Sequence, residues 1–390
     1  MINSSEPPWH LPVSQTFAIR DTAVTGRAVF AEVDVSTGCH LLTTSPDFSP
    51  LVHVILRPYR REVCAWCLLY DRGREWKGRK LGEGVAFCST QCEVCWDADN
   101  DETCRQAGRS IENIIKVQSK RKGQASSEKE AYIDATPLTA RADSNNIAEA
   151  WVKAEEHGAA VVRARIASKP SKTQRAILRH ATEVPTDPDL LTYVLSGVLA
   201  AYKAWVLQSG ANDSDKSTNA DDLLPSLFEL VPDDKVFSEN VMTASPLHDY
   251  TSAYLVLLAL MPIAVLPLIT SKLVINLASR AAHNAFSIRP EGMTDGDESG
   301  EFLGWGVWPE ASFFNHSCSP NVKKERRGRL WAFGIHTGAG RVVRQGQQLC
   351  ITYLGGDEKD LDVSERRQRL QEQWGFRCLC DRCLEESGET

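Results

Sequence analysis

Apolar residues recur at helical spacing in two long stretches in the middle of the chain. Ile147 to Ile166 and Asp189 to Leu207 both show this spacing, so each predicts a helix. Lys169 to Lys172 interrupts the pattern between them. The second helix is predicted to bury one face made of Leu190, Leu191, Val194, Val198 and Leu199.

Two polar stretches flank these helices. Ser209 to Asp222 has almost no apolar content, which predicts a mobile loop. Gln118 to Ser127 is also polar and is expected to be exposed. Its basic run, Lys120-Arg121-Lys122, is weak evidence for a nuclear signal, because three charges are more often a solvated face.

One segment has the composition of a membrane helix. Leu255 to Ile269 is an unbroken apolar run of 15 residues, which is shorter than the roughly 18 residues that a spanning helix needs. It also contains Pro262 and Pro267. Its length therefore favours a buried core helix. Met1 to Thr16 is polar and contains prolines, so it does not have the pattern of a secretory signal.

Shorter elements are predicted towards the two ends of the chain. Phe17 to Ile19 and Ala28 to Ala31 have the pattern of two short strands around a turn that contains Gly26. Ser364 to Trp374 predicts a short helix with Ser364 as its N-cap. The acidic residues beyond Cys383 are expected to fray.

Composition and charge narrow the class of protein. With 390 residues, 42% hydrophobic and 24% charged, the chain is expected to be soluble and to build a sizeable core. The net charge of -7 and the lack of a basic stripe disfavour nucleic acid and favour basic partners. Twelve cysteines, several in C-x2-C or C-x-C pairs, indicate metal ligands in a reducing compartment rather than disulfides.

The first group of paired cysteines lies near the N-terminus. Cys64 and Cys67 form a C-x2-C pair, and Cys88 and Cys92 form a C-x3-C pair. Two thiol pairs at this spacing predict one structural zinc site. Cys95 and Cys104 are further thiols for which the spacing gives no role.

The second group combines distant segments. Cys378, Cys380 and Cys383 supply three thiols, whereas structural zinc takes four ligands. Cys318, in the stretch Asn315-His316-Ser317-Cys318, is the natural fourth ligand. One zinc ion would then hold the C-terminal segment over Asn315 and His316 and make a lidded pocket, where function is expected.

These residues resemble a known family. The resemblance is carried by Gly26-Arg27-Ala28-Val29-Phe30-Ala31, Asn284-Ala285-Phe286, Gly306-Val307-Trp308-Pro309, Asn315-His316-Ser317-Cys318, Ile351-Thr352-Tyr353, Ser364-Glu365-Arg366-Arg367 and the last three cysteines. Together they look like the SET domain of lysine methyltransferases, in its SET and MYND domain (SMYD-like) branch. The resemblance covers roughly residues 17 to 95 and 283 to 383.

The resemblance implies an α+β fold with the SET-domain arrangement of short strands. Its parts are expected to be an N-terminal SET part (1–60), a reduced MYND-like zinc finger (61–96), a helical insertion (97–281), a C-terminal SET core (282–362) and a zinc-binding post-SET segment (363–390). A complete MYND finger has a second zinc site, but residues 68–87 contain no cysteine and no histidine stands between His53 and His157. A purely structural zinc clip is therefore expected.

The resemblance also assigns roles to individual residues. Tyr353 is implied to be the catalytic tyrosine, and Trp374 to line the channel for the substrate lysine. The residues implied to hold S-adenosylmethionine are Arg27, Asn284, Ser312, Asn315, His316 and Phe376. Two positions depart from the family: Ala28 replaces the second glycine of Gly-x-Gly, and Trp374 replaces a tyrosine.

The function implied is S-adenosylmethionine-dependent methylation of lysine in a histone or another basic protein. The alternative is an inactive SET fold that serves as a zinc-stapled interaction scaffold, as Ala28 and Trp374 would indicate. Asn315, His316 and Tyr353 occurring together favour the enzyme. A monomer in the cytoplasm, the nucleus or both is expected, with two structural zinc ions and no membrane association.

Overall fold

The structure is a computed structural model, and it describes residues 12, 14–22, 26–46, 50–125, 144–208, 218–233, 235–237, 246–291, 301–336 and 342–389. The strands are β1 Phe17–Thr22, β2 Gly26–Ala31, β3 His40–Thr43, β4 Val52–Ile55, β5 Gly78–Lys80, β6 Val85–Phe87, β7 Ala285–Ile288, β8 Gly304–Val307, β9 Asn315–His316, β10 Val322–Arg327, β11 Leu330–Ile335 and β12 Cys350–Ile351. The helices are α1 Thr90–Asp99, α2 Glu102–Ala125, α3 Ser144–Ile166, α4 Lys172–Glu183, α5 Pro188–Gln208, α6 Ala220–Leu223, α7 Pro225–Phe228, α8 Pro246–Leu260, α9 Ser271–Asn284, α10 Val363–Trp374 and α11 Asp381–Ser387.

The chain divides into two compact units. The first contains Met1–Leu51, Cys67–Arg74 and His283–Thr390, and the second contains Val52–Trp66 and Glu75–Ala282. Short strands dominate the first unit and helices dominate the second. This mixture of helices and short strands confirms the predicted α+β class.

Short antiparallel pairings build the first unit. β1 pairs with β2 in register from Phe17 opposite Ala31 to Thr22 opposite Gly26, which confirms the predicted strand pair. Gly26 has a φ of 65°, a left-handed backbone that glycine adopts without a steric cost. β11 lies between β10 and β3, and β7 pairs with β8. The rings of Phe314 and Phe333 stack at 4.6 Å in the core between these strands.

The C-terminal helix of the first unit differs from its prediction at the N-cap. Asp362, not Ser364, caps α10: its side chain accepts the Glu365 backbone N–H, and the Glu365 side chain accepts the Asp362 backbone N–H. This reciprocal capping box satisfies the backbone N–H groups of Asp362 and Glu365 at the start of the helix. Ser364 lies within the helix and does not cap it. The helix ends at Gly375, whose φ is 74°.

Residues 384–389 are ordered, so the prediction of a frayed tail is wrong for this segment. Leu384 to Ser387 belong to α11. Glu386 accepts a hydrogen bond from Arg366 at 2.6 Å, and Glu389 accepts bonds from Arg367 at 3.2 Å. Arginine side chains on α10 thus hold this acidic segment in place, although it has few apolar residues of its own to bury.

Helices that pack on one another form the second unit. α3 and α5 confirm the two predicted helices, and both pack against α8. On α5, Leu191, Val194 and Val198 are buried as predicted, while Leu190 and Leu199 are half-buried. Gly197 on α5 has no side chain, which allows α9 to approach closely. A Cβ atom at this position would lie 2.4 Å from a methyl carbon of Leu277.

Two predictions for this region need correction. Residues 209–217 lie outside the described residues, but Ala220 to Leu223 form α6 instead of a loop, because Ala220 and Leu223 are buried. Gln118 is buried instead of exposed, and its amide donates to the carbonyls of Thr182 and Val184 at 3.3 and 3.0 Å.

The apolar run from Leu255 to Ile269 is only partly an α-helix. α8 ends at Leu260, and a 3-10 segment, Ile263–Leu268, follows Pro262. Proline interrupts an α-helix because it has no N–H to donate. Leu257 and Val265 are nevertheless buried, so the run belongs to the core as predicted.

In the part of the chain that the structure describes, α5 is the one helix long and apolar enough to cross a membrane. About 44% of its most apolar window is buried inside the molecule. Core helices of globular proteins meet the same criterion, so this observation is weak evidence for a membrane span.

Candidate active site and two cysteine clusters

Two short parallel strands form the frame of the candidate site. β9 lies beside β12, with Asn315 opposite Cys350 and His316 opposite Ile351. The side chain of Asn321 holds the two segments together, because its amide nitrogen donates to the Gln348 carbonyl and its amide oxygen accepts the Cys350 N–H, both at 2.8 Å. The Asn315 to Asn321 stretch is thus fixed against the strand that leads into Tyr353.

His316 and Tyr353 are tied to one another. The Tyr353 backbone N–H donates to His316 Nδ1 at 2.9 Å, so this ring nitrogen is an acceptor. Burial lowers the pKa of His316 to about 4. The Tyr353 hydroxyl donates to the Phe314 carbonyl at 3.0 Å, and burial raises its pKa well above the ordinary value. A neutral imidazole and a protonated phenol therefore meet here.

Aromatic side chains from the end of α10 complete this cluster. The ring of Trp374 lies 5.5 Å from that of Tyr353, and the ring of Phe376 lies 6.0 Å from that of His316. Gly375, between the two aromatic residues, has a left-handed backbone and ends the helix. The turn at Gly375 therefore lets two successive aromatic side chains pack differently: Trp374 lies near Tyr353, and Phe376 lies near His316.

A cavity of about 480 Å³ lies within the first unit at this cluster. Among its lining residues are Asn284, Ser312, Tyr353 and Trp374, four of the predicted site residues. Aromatic side chains, among them Phe286, Trp305, Phe314 and Trp331, share the rest of the wall with charged and polar ones. A volume in this range, with aromatic groups beside polar ones, suits a small molecule or a long side chain.

The other predicted cofactor residues lie close by. The Asn315 side-chain amide donates to the Arg27 carbonyl at 3.3 Å, which joins β9 to β2. The Ser312 hydroxyl lies 3.3 Å from the Asn284 carbonyl, at the end of α9. The Arg27 guanidinium lies 5.2 Å from the centre of the Phe313 ring. The structure therefore places the predicted catalytic, cofactor and channel residues near one another.

The C-terminal cysteine cluster consists of Cys318, Cys378, Cys380 and Cys383. Its four sulfur atoms lie within 4.8 Å of one another. Cys318 Sγ is 3.9 Å from Cys378 Sγ and 3.5 Å from Cys383 Sγ, near the roughly 3.8 Å edge of a tetrahedron with about 2.3 Å zinc–sulfur bonds. The donor set therefore fits zinc, and the predicted fourth ligand lies with the other three.

One buried cation and one backbone N–H lie against this cluster. The Arg366 side chain is fully buried, and its Nη2 lies 3.7 Å from Cys383 Sγ and 2.6 Å from a Glu386 oxygen. The Cys318 backbone N–H points to Cys380 Sγ at 3.4 Å. Donors of this kind stabilise thiolate, the form that binds metal.

The N-terminal cysteine cluster consists of Cys64, Cys67, Cys88 and Cys92, whose sulfur atoms also lie within 4.8 Å of one another. Cys88 and Cys92 are 3.5 Å apart, because Ser89 caps α1 and places both at its start. Only Cys64 is buried. Both predicted sets of four thiols are thus assembled in a form capable of holding zinc.

Sequence reasoning missed the cationic part of the cavity wall. Lys324 and Arg326 line the cavity, although Val322 to Arg327 reads Val-Lys-Lys-Glu-Arg-Arg and shows no alternation of apolar and polar residues. Such a strand does not reveal which side chains face inward. The side-chain directions on β10 follow from its pairing with β11, because the apolar residues of β11 fix the register.

The chain matches a known protein family over most of its length. A family model described as SET domain matches residues 26–354. The potential protein lysine methyltransferase SET6 of Saccharomyces cerevisiae is 41% identical over 103 residues, 26% of each chain. A SET and MYND domain-containing protein of Dictyostelium discoideum is 33% identical over 114 residues, 28% of this chain and 20% of the relative.

A third relative is the protein-lysine N-trimethyltransferase SMYD5 of Mus musculus, which is 32% identical over 94 residues, 23% of this chain and 22% of the relative. The matched segments therefore span no more than 26% of the length of any of these three relatives.

Proposed function

Because the chain belongs to the SET domain family and has relatives of the SET and MYND type, as its motifs predicted, we propose that it is a protein-lysine methyltransferase that uses S-adenosylmethionine. The observation that carries this proposal is the junction of Asn315 and His316 with Tyr353 beside an aromatic cavity. That arrangement combines a polar segment suited to a cofactor with a channel suited to a lysine side chain.

The chemistry requires a neutral amine held in line with a methyl donor. An exposed lysine has a pKa of about 10.4, so at pH 7 only about one molecule in a few thousand is neutral. The walls formed by Phe286, Trp305 and Trp331 would remove water from the amine and favour the neutral form, while holding the aliphatic stem.

Tyr353 is proposed as the residue that orients the amine. Its hydroxyl is anchored on the Phe314 carbonyl, and burial keeps it protonated near neutral pH because its pKa is raised. A phenol in that state is a poor base. Its contribution would therefore be to hold the amine through the hydroxyl oxygen, not to remove the proton.

Arg27, Asn315 and His316 are proposed to hold S-adenosylmethionine, together with Asn284, Ser312 and Phe376. The cofactor supplies a methyl group activated by a positively charged sulfur. The space around Gly26, which has a left-handed backbone, is open and leaves that backbone accessible to the cofactor. The side chain of Phe376 is half-buried, so part of its ring is available to cover an adenine. Ala28 is fully buried, so its methyl group points away from solvent.

Trp374 is proposed to line the lysine channel. An indole in contact range of Tyr353 adds bulk where relatives of the family carry tyrosine, so we expect it to limit how many methyl groups the amine can accept. Mass spectrometry of the reaction product measures this directly. Efficient trimethylation would contradict the expected limit.

Both cysteine clusters are proposed to hold structural zinc. Four thiolates leave no open coordination position for a substrate, so the metal would stabilise the fold and take no part in methyl transfer. At the C-terminal cluster it would join Cys318 of the Asn315 segment to the segment that carries Phe376.

The substrate is proposed to be a histone or another basic protein with an accessible lysine, in the cytoplasm or the nucleus. The net charge of -7 supports a basic partner and argues against direct binding to nucleic acid. The competing function is a zinc-stapled interaction scaffold without activity. The two functions differ in whether the pocket binds the cofactor.

Calorimetric titration of the zinc-loaded protein with S-adenosylhomocysteine tests the proposal. We expect binding by the native chain and its loss in Asn315→Ala, because that side chain joins β9 to the Arg27 backbone. Thermal unfolding serves as the control for folding of the variant. A folded native chain that does not bind S-adenosylhomocysteine would favour the scaffold.

A further inference from the structure

His316 uses both nitrogen atoms of its ring inside the protein. Nδ1 accepts the Tyr353 backbone N–H at 2.9 Å, and Nε2 lies 3.2 Å from Cys318 Sγ. A backbone N–H only donates, so Nδ1 carries no proton. An imidazole without a proton on Nδ1 carries it on Nε2, and this Nε2–H group donates to the Cys318 sulfur. Neither ring nitrogen is therefore left to bind a ligand directly.

Neighbouring groups hold this ring in one orientation. The ring centres of Tyr353 and Phe376 lie 5.4 and 6.0 Å from the ring centre of His316. The pairing of β9 with β12 places the backbone of His316 opposite Ile351. Both ring nitrogens belong to one rigid five-membered ring, so a movement that breaks the contact with Cys318 also shifts the acceptor of the Tyr353 N–H. The two hydrogen bonds are therefore set together.

These hydrogen bonds lead to two different parts of the candidate site. Cys318 belongs to the C-terminal cysteine cluster, whose four sulfur atoms lie within 4.8 Å of one another. Tyr353 lines the cavity, and its hydroxyl donates to the Phe314 carbonyl at 3.0 Å. Hydrogen-bond partners of metal ligands orient those ligands and tune the metal site. His316 thus connects a cluster capable of holding zinc with the residue proposed to orient the amine.

We propose that His316 is a positioning residue that couples metal binding at the C-terminal cysteine cluster to cofactor binding in the pocket beside Tyr353. This inference rests on the proposed function and names a regulation of the same site. A metal ion fixes the Cys318 sulfur in place, and the Nε2–H donor then fixes the ring that holds the Tyr353 backbone. Loss of the metal frees the sulfur and removes one of the two anchors of the ring. Because coupling between binding sites is reciprocal, the bound cofactor also retains the metal.

Release of zinc to a chromophoric chelator, with and without S-adenosylhomocysteine, tests this coupling. The full chain is loaded with zinc, and the phase of release that Cys380→Ser lacks reports the C-terminal cluster. For the native chain we expect saturating S-adenosylhomocysteine to slow this phase about fivefold or more and to leave the other phase unchanged. Equal rates with and without S-adenosylhomocysteine, in a chain that binds it, would overturn the inference.

Two substitutions separate the roles of the two ring nitrogens. Asparagine places an amide oxygen near the position of Nδ1 but has no donor at Nε2, whereas glutamine places an amide near Nε2 but has no acceptor at Nδ1. Without S-adenosylhomocysteine, we expect His316→Asn to release zinc from the C-terminal cluster about tenfold faster than the native chain. His316→Gln should release it at close to the native rate. Both variants should lose the effect of S-adenosylhomocysteine on this rate, because each keeps only one of the two hydrogen bonds.

Asn315→Ala is the matched control, because it is expected to lose cofactor binding while it leaves the contact between His316 and Cys318 in place. Its zinc release without S-adenosylhomocysteine should match the native rate, which separates loss of the cofactor from loss of the metal anchor. Thermal unfolding checks that each variant is folded. A native release rate in His316→Asn would overturn the inference and leave the proposed function standing. A folded native chain that binds no S-adenosylhomocysteine would overturn both.

Discussion

The two cysteine clusters have the same donor set but different surroundings. In the C-terminal cluster, Cys318, Cys378 and Cys383 are buried, and the fully buried Arg366 reaches Cys383. In the N-terminal cluster only Cys64 is buried. The C-terminal cluster also stands two residues from His316, whose Nε2 lies 3.2 Å from Cys318 Sγ. Identical thiols therefore predict a metal site, but the neighbours decide whether that metal also supports the candidate active site.

Sequence separation marks a second difference. The N-terminal cluster joins residues 64 to 92, whereas the C-terminal cluster joins 318 to 383. A cross-link that closes a longer loop removes more conformational entropy from the unfolded chain, although the dependence on length is weak. Each prediction below perturbs one cluster and uses the other as its reference.

Loss of a C-terminal ligand should have the largest effect. We expect Cys380→Ser to release the segment that carries Phe376, to reduce the zinc content by one ion and to abolish binding of S-adenosylhomocysteine. Cys88→Ser should also reduce the zinc content by one ion but retain binding. Elemental analysis and calorimetry measure the two quantities. Unchanged zinc content and binding in Cys380→Ser would refute the role of this cluster.

Removal of the buried cation beside the C-terminal cluster should come next. We expect Arg366→Met to lower the free energy of unfolding by about 1 to 3 kcal/mol, since it leaves the buried Cys383 thiolate and the Leu361 carbonyl without their donor. Arg369→Met on the same helix is the control, because its side chain is 53% exposed. Denaturant unfolding gives both values. Equal losses in the two variants would contradict a special role for Arg366.

A chelator should remove zinc from the two clusters at different rates. We expect a chelator to take zinc first from the N-terminal cluster, because three of its cysteines are only half-buried, and later from the C-terminal cluster. A chromophoric chelator should therefore show two phases, of which Cys88→Ser lacks the faster. Loss of the slower phase in that variant would reverse the assignment.

The smallest effect is expected at a neighbouring thiol outside both clusters. Cys95 lies on α1 and accepts a hydrogen bond from the Gln91 side chain at 3.3 Å. Because its sulfur is not part of either group of four, we expect Cys95→Ser to leave zinc content and thermal stability unchanged. Loss of one zinc ion in this variant would show that the ligands of the N-terminal cluster are assigned incorrectly.

The sequence predicted best what depends on spacing. Helices α3 and α5 follow from apolar periodicity, and the two sets of four thiols follow from C-x2-C and C-x-C pairs. The roles of Tyr353 and the cofactor residues remain predictions. Their proximity in the structure supports those roles.

What the sequence did not predict depends on tertiary partners. Gln118 is polar, yet it is buried because carbonyls at the end of α4 accept from its amide. The acidic segment of α11 is ordered because Arg366 and Arg367 on α10 meet it. The inward direction of Lys324 is set by pairing with β11. None of these partners is visible within a local window of sequence.

The hydrogen bonds that join Asn315 to Arg27 and Tyr353 to His316 also govern when the site forms during synthesis. Arg27 leaves the ribosome long before Asn315, and the C-terminal cysteine cluster has its fourth thiol only after Cys383 has been made. Domains fold as their residues emerge, but contacts between distant residues must wait for the later partner. A nascent chain that ends before Cys383 therefore lacks the fourth thiol of the C-terminal cluster, so the proposed cofactor pocket is completed only after this residue has left the ribosome.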